Sequence, residues 1–236
     1  MKDQYFGDIY DYFKYSLLRL LTRQGQLRTA VCWMLTPNDR RADGHRTQYL
    51  RESMEWSAFD PVVYRFLREH VIERNTRKIK ALETSTILPS CRFYSEILGD
   101  EYSQRQEYLK EFLDFAWDAN LVFFDPDTGM EVKSVPIGRK HSSKYLYWSE
   151  VSSSFSAGHS LFVYQHLPPK PRDPFIDELA DRFIATTGAR CVYSYHNRRV
   201  AFFLSYEVLL IDGLTFTYKN STEKFISDCV GAGSRP

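Results

Sequence analysis

The stretch NLVFFDPDTGMEVKS, residues 120–134, decides the fold of this 236-residue chain. Its apolar run Leu121–Phe124 has the length and composition of a strand that is buried on both faces. The run ends at Asp125-Pro126-Asp127, and Gly129 follows two residues later. Because Asp, Pro and Gly are turn-forming residues, the strand is predicted to deliver two carboxylates to one short turn.

Other apolar runs alternate with amphipathic helical patterns along the chain. Strands are predicted at residues 30–35, 160–165, 191–195 and 200–206, with a possible extended piece at 92–94. Helices are predicted at residues 8–24, 60–74, 76–83, 102–118 and 173–187. Strands that alternate with helices favour an α/β fold with a mainly parallel, Rossmann-like sheet. The last two strands, separated by the turn HNRR, predict a C-terminal antiparallel hairpin.

The domain organisation predicted from these patterns is simple. Residues 1–230 form a single Rossmann-like domain, in which residues 38–100 are a helical insertion after the first strand. An extended, strand-like segment is expected at 208–218, and residues 231–236 are predicted to be a loose C-terminal tail without regular secondary structure.

Composition narrows the functional classes. The formal net charge is only +1, so a broad basic surface for binding nucleic acid is not indicated. A local basic face is still compatible with this net charge. The four cysteines are widely spaced, which disfavours a zinc site or a disulfide framework. No apolar stretch has membrane-spanning length and the N-terminus lacks a signal pattern. A cytoplasmic protein without membrane association is predicted.

Chemistry is expected where the polar turns meet. In open parallel sheets, ligands bind beyond the carboxyl ends of the strands. The turns at that edge contain Thr36, Asn38, Asp39, Asp43 and Gly44 after the first strand, Asp125 and Asp127 after the central strand, and His166 after the strand at 160–165. The alternative for each turn is that Pro, Asp and Gly simply reverse the chain.

The Asp125-Pro126 pair follows an apolar strand, as in the (Asn/Asp)-Pro-Pro-(Tyr/Phe) motif that it resembles. That motif belongs to S-adenosylmethionine-dependent amino-methyltransferases. The segment from Asp8 through Asp11, Lys14 and Tyr15 to Leu18 is similar to the opening helix of the ribosomal-RNA adenine-N6 methyltransferases. Those proteins also have a helical insertion after the first strand and a closing antiparallel hairpin.

The resemblance implies roles for named residues. Asp125 would orient the acceptor amine, and Lys14 would close the site. Asp127 and His166 are expected to join this catalytic group because of their positions after neighbouring strands and not because of the resemblance. Thr36, Asn38, Asp39, Asp43 and Gly44 would hold S-adenosylmethionine. Asp11 and Tyr15 would contact the substrate, a nucleic acid or nucleotide, and the exposed-loop residues Arg139 and Lys140 could hold its phosphates.

The chain departs from that family in two places. The turn after the first strand has no early glycine, and Asp127 with Thr128 replaces the second proline and the aromatic residue. A second hypothesis is therefore a Mg²⁺-dependent nuclease or nucleotide phosphodiesterase, with Asp125, Asp127 and Glu131 as oxygen ligands. A third is a catalytically degenerate Rossmann-fold partner subunit.

Overall fold

The structure is a computed structural model that describes residues 1–22, 27–39, 43–52 and 56–206. It confirms a Rossmann-like α/β fold with a mostly parallel six-stranded sheet and a C-terminal antiparallel hairpin. The strands are β1 (Thr29–Cys32), β2 (Cys91–Tyr94), β3 (Leu121–Phe124), β4 (Gly129–Met130), β5 (Tyr145–Leu146), β6 (Ser160–His166), β7 (Cys191–His196) and β8 (Val200–Tyr206).

The main sheet has the order β2-β1-β3-β6-β8-β7. Strands β2, β1, β3 and β6 are parallel, whereas β8 runs antiparallel to both β6 and β7. The chain passes from β1 to β2 on one side and then returns to β3 on the other side of β1. The carboxyl ends of β1 and β3 therefore form a topological switch point, where doubly wound sheets bind ligands.

Helices cover both faces of this sheet. They are α1 (Ile9–Thr22), α2 (Pro61–Arg68), α3 (Lys80–Glu83), α4 (Tyr102–Phe115), α5 (Trp148–Ser156) and α6 (Arg172–Thr187). Helices α1 and α2 pack on the face that carries Val31 and Phe123, and α4, α5 and α6 pack on the face that carries Cys32 and Phe124. Alternate residues of each central strand thus enter two separate cores, as the continuous apolar runs predict.

Several element boundaries differ from the sequence prediction. Residues 91–94 form the edge strand β2 of the main sheet, so the insertion predicted for 38–100 ends before residue 91. The helix predicted at 76–83 spans only Lys80–Glu83, and α2 continues as a π-helical turn at Glu69–Glu73. The run at 208–218 and the tail at 231–236 lie outside the described residues.

Helix α5 was not predicted, because its sequence WSEVSSSFS is rich in serine, a residue that favours helix ends over helix interiors. Its first turn is stabilised by Glu150, whose carboxylate accepts a hydrogen bond from the backbone N–H of Tyr147 at 2.9 Å. Among the described residues, no helix is long and apolar enough to cross a membrane.

The turn after β3 is fixed by β6. Gly129 has a φ of +128°, and a side chain at this position would overlap the amide of Gln165. The Gln165 Oε1 atom accepts a hydrogen bond from the Met130 backbone N–H at 2.8 Å. Glycine at 129 is therefore required both by the backbone conformation and by the close approach of β6.

Candidate functional site

A cavity of about 720 Å³ lies at the carboxyl edge of the sheet, beside the switch point. Its walls come from α1, from the segment at residues 43–46, and from the ends of β3 and β6. Five aspartates line it, namely Asp8, Asp11, Asp43, Asp125 and Asp127. Its size is within the usual range for sites that bind nucleotide-sized molecules.

Lys14 stands between two of these carboxylates. Its Nζ lies 2.8 Å from Asp11 Oδ1 and 2.7 Å from Asp125 Oδ2, and all three side chains are buried. The ammonium also lies 5.0 Å from the ring centre of Tyr164. Behind it, the Tyr15 hydroxyl donates to Asp11 Oδ2 at 3.0 Å. This acidic cluster, Asp11, Lys14 and Asp125, contains two carboxylates for one ammonium.

The acidic cluster binds protons more readily than isolated carboxyl groups do. Burial raises the pKa of Asp125, and Lys14 and the Met1 amino group only partly offset this. Burial likewise raises the pKa of Asp11 despite the contacts with Lys14 and Tyr15. Burial alone would lower the pKa of Lys14, but the two carboxylates raise it above its usual value. The lysine therefore stays charged, and its single ammonium faces two carboxyl groups.

Asp127 has a different environment. Its Oδ1 lies 2.7 Å from the amino group of Met1, and its Oδ2 accepts a hydrogen bond from the Thr36 hydroxyl at 3.0 Å. Lys2 Nζ is 3.2 Å from the same Oδ2. Burial alone would raise the pKa of Asp127, but the Met1 amino group, Lys2 and Thr36 outweigh burial and lower it. Asp127 is thus an ionised carboxylate with its charge compensated.

Met1 and Lys2 occupy the crevice between the ends of β1 and β3. The Met1 amino group donates to the carbonyls of Met34 and Asp125, at 3.1 Å each. The Thr36 backbone N–H donates to the Met1 carbonyl at 2.9 Å. Part of the position expected for a cofactor is therefore filled by residues of the chain itself.

This packing separates the five residues predicted to hold a cofactor. Asp43 and Gly44 line the cavity. Asn38 and Asp39 instead contact the N-terminal segment: Asn38 Oδ1 accepts from the Gln4 backbone N–H at 3.2 Å, and Asp39 Oδ2 pairs with Lys2 at 2.8 Å. Thr36 contacts Asp127 and does not line the cavity.

The predicted catalytic residues do come together. Asp125, Lys14, Asp127 and His166 all line the cavity, as does the predicted substrate residue Asp11. Tyr15 is buried behind Asp11 rather than in the wall. Arg139 and Lys140 are exposed on the loop that follows Gly138, which packs against Tyr102, and they do not line the cavity.

The sequence prediction missed several lining residues. Asp8 begins α1 by accepting a hydrogen bond from the Tyr10 backbone N–H at 3.1 Å, and its other oxygen accepts from the Arg46 backbone N–H at 2.9 Å. An aspartate immediately before a helix is a recognisable signal for such a cap. No sequence pattern distinguishes Arg46 from an ordinary surface arginine or Tyr164 from an ordinary core tyrosine.

His166 completes the wall near Tyr10. Its ring contacts the Tyr10 ring edge-on, with 6.4 Å between the ring centres. Partial burial lowers the pKa of His166, and the positive charges of Arg199 and Arg46 lower it further, although a hydrogen bond with Leu167 opposes them. His166 is therefore biased toward the neutral imidazole.

The alternative metal site is not assembled from the expected ligands. Glu131 accepts a hydrogen bond from the Trp148 backbone N–H at 3.1 Å and lies 3.4 Å from Arg182, outside the cavity wall. Asp125 and Asp127 are each paired with a cation. Among the described residues, no group of three or more His, Cys, Asp or Glu side chains has the arrangement of a metal site.

The cavity thus combines a buried acidic wall with the aromatic rings of Tyr5, Tyr10 and Tyr164. Such a wall favours a ligand that carries positive charge and a flat ring. No protein-family model matches the chain. No curated protein matches it either.

Proposed function

We propose that this chain is a methyltransferase-like protein that binds S-adenosylmethionine in the cavity and transfers its methyl group to a nitrogen of a nucleotide or nucleic acid. The observation that carries the proposal is the contact between α1 and the turn after β3, where Lys14 bridges Asp11 and Asp125. These are the two segments on which the resemblance to amino-methyltransferases rests.

The charge of the acidic cluster suits this ligand. S-adenosylmethionine carries a sulfonium and an ammonium against one carboxylate, so its net charge is positive. A buried wall with more carboxylates than cations attracts such a molecule because the low dielectric strengthens the interaction. The rings of Tyr10 and Tyr164 offer apolar surfaces to its adenine.

The chain's own residues supply the remaining functions. Asp125 accepts a hydrogen from the acceptor amine, which keeps the nitrogen lone pair directed at the methyl donor. Lys14 positions Asp125 through the 2.7 Å ion pair and favours its ionised form. The lowered pKa of His166 makes its neutral ring available to take up the proton that the methylated nitrogen releases.

Calorimetric titration with S-adenosylmethionine tests the proposal. In the titration, the wild-type protein is expected to bind S-adenosylmethionine with a one-to-one stoichiometry. In a separate activity assay, transfer of a labelled methyl group to nucleotides or RNA from the native host is expected to be lost in Asp125→Ala. Arg139→Gln, which alters an exposed loop away from the cavity, serves as the control. A folded protein that binds no S-adenosylmethionine would overturn the proposal.

The partner-subunit hypothesis has one observation in its favour, since Met1 and Lys2 fill the crevice beside β1. It predicts no binding of S-adenosylmethionine and a stable complex with another protein of the native host.

The Mg²⁺ hypothesis predicts thermal stabilisation by Mg²⁺ that disappears in Asp127→Asn. The pairing of Asp127 with cations gives this hypothesis less support. The widely spaced cysteines remain consistent with a cytoplasmic location.

A further inference from the structure

One side of the cavity entrance carries the exposed Arg46, near the exposed Asp43, in contrast to the buried acidic wall. We define the basic rim as Tyr10, Arg46, His166 and Arg199. Arg46 donates a hydrogen bond to the Tyr10 hydroxyl, and its guanidinium lies 5.3 Å from the Tyr10 ring centre. Tyr10 in turn contacts His166 edge-on. Arg46, His166 and Arg199 are exposed, so the rim faces solvent.

Arg199 reaches the rim through the turn between β7 and β8. Its backbone carbonyl accepts a hydrogen bond from the Leu167 N–H at 2.7 Å, which fixes this turn beside the end of β6. The positive charges of Arg46 and Arg199 both act on Tyr10 and on His166. Arg46 thus contacts Tyr10 directly, and the backbone of Arg199 is fixed beside His166, whose strand partner is Val200.

The two arginines have no acidic partner in the described part of the chain: neither forms an ion pair with a carboxylate there. Other exposed arginines do, as the pairs Arg68–Glu73 and Arg172–Asp173 show. Two uncompensated guanidinium groups beside a hydroxyl and an imidazole form a set of donors suited to a phosphate group.

We propose that the basic rim binds the phosphate of a small phosphomonoester, a nucleoside monophosphate, whose base enters the cavity. This inference rests on the proposed function, because it names the class of acceptor. A single phosphate fits better than a polynucleotide for two reasons. The formal net charge of the chain is only +1, so a broad basic surface is not indicated, and the carboxylates that line the cavity behind the rim repel further phosphates.

Calorimetry at low ionic strength tests the inference directly. The probes are the common ribonucleoside 5′-monophosphates, the matching nucleosides, inorganic phosphate and a short oligoribonucleotide. One monophosphate is expected to bind about tenfold more tightly than its nucleoside, the difference that one or two charged hydrogen bonds provide. Arg199→Gln is expected to abolish most of that difference.

Arg198→Gln is the matched control, because Arg198 is the exposed neighbour of Arg199 in the same turn. It is expected to leave monophosphate binding unchanged. Equal affinities for nucleoside and monophosphate, equal losses in the two arginine variants, or tighter binding of the oligoribonucleotide would each overturn the inference.

A parallel titration with S-adenosylmethionine separates this inference from the proposed function. Heat with S-adenosylmethionine but none with any monophosphate overturns only the phosphate site. Monophosphate binding that depends on Arg199, without any S-adenosylmethionine binding, supports the phosphate site and overturns the methyl-transfer function. Both variants replace exposed side chains, so folding is preserved and the result is interpretable in either case.

Discussion

Two buried clusters of charged side chains lie on opposite faces of the sheet, and they differ in how completely their charges are satisfied. In the first, Arg105 and Glu150 form a bidentate ion pair. The Arg105 Nε lies 2.6 Å from Glu150 Oε1, and the Arg105 Nη2 lies 2.8 Å from Glu150 Oε2. The guanidinium also donates to the carbonyls of Ser142 and Tyr145, at 3.0 and 2.6 Å. One cation meets one anion.

The acidic cluster around Lys14 is unbalanced, because Asp11 and Asp125 share one ammonium. It also lines the cavity, whereas Arg105 and Glu150 do not. A fully satisfied pair can only hold elements together, here α4, α5 and the segment at 142–147. A cavity wall with two carboxyl groups and one ammonium offers a place for a cation from outside, which is why we propose a ligand-binding role for the acidic cluster and a structural role for the Arg105–Glu150 pair.

The largest effect on stability is expected from removing Arg105, the cation of the charge-balanced Arg105–Glu150 pair. Arg105→Met leaves Glu150 buried without its partner and frees two carbonyls, so the free energy of unfolding should fall by about 3–5 kcal/mol. Urea denaturation followed by circular dichroism measures this. The double variant Arg105→Met/Glu150→Met should recover much of the loss, and a single-variant loss below about 1 kcal/mol would contradict the structural role.

A smaller decrease in the free energy of unfolding is expected when the acidic cluster loses its cation, Lys14. In Lys14→Met the two carboxylates remain, but one can take up a proton and the cavity admits water, so the loss at neutral pH should be about 2–3 kcal/mol. This loss should depend on pH, unlike that of Arg105→Met.

The direction of that dependence follows from the pKa values. Burial raises the pKa of Asp11 and of Asp125 above the ordinary value of 3.8, so at pH values between 3.8 and the raised values the folded protein holds protons that the unfolded chain has released. Their contribution to stability is present below pH 3.8 and is lost as the pH rises through the raised values. Removing Lys14 raises these pKa values further, so the destabilisation should be greater at about pH 8 than at about pH 5. A pH-independent loss would mean that the carboxylates are not coupled to Lys14.

Much of this arrangement could be predicted from the sequence because it depends on local patterns. The apolar runs that became β3 and β6 ended at Asp125 and His166, and the strand-end rule then brought Asp125, Asp127 and His166 to one edge. The contact of Lys14 with Asp125 was expected only because two motifs resembled one family.

The remaining features depend on tertiary contacts that no local pattern records. Helix α5 has weak intrinsic helix propensity, and Glu150 in its first turn is fixed by Arg105 from a distant helix. The burial of Met1 and Lys2 in the crevice results from carbonyl and carboxylate groups in two separate segments, the ends of β1 and β3. The turn that carries Arg199 lies beside His166 only because the antiparallel β8 returns it to the carboxyl edge.

The central claim is that the excess negative charge of the acidic cluster selects a cationic ligand. The most direct test compares calorimetric affinities for S-adenosylmethionine, which carries a sulfonium, and S-adenosylhomocysteine, which has a neutral thioether. Wild-type protein should prefer the sulfonium by about tenfold, one close charge interaction in a partly buried site. Asp125→Asn should lose most of this preference, and Glu150→Gln, which alters the balanced pair, should keep it. No binding of either ligand, or an unchanged preference in Asp125→Asn, would contradict the account.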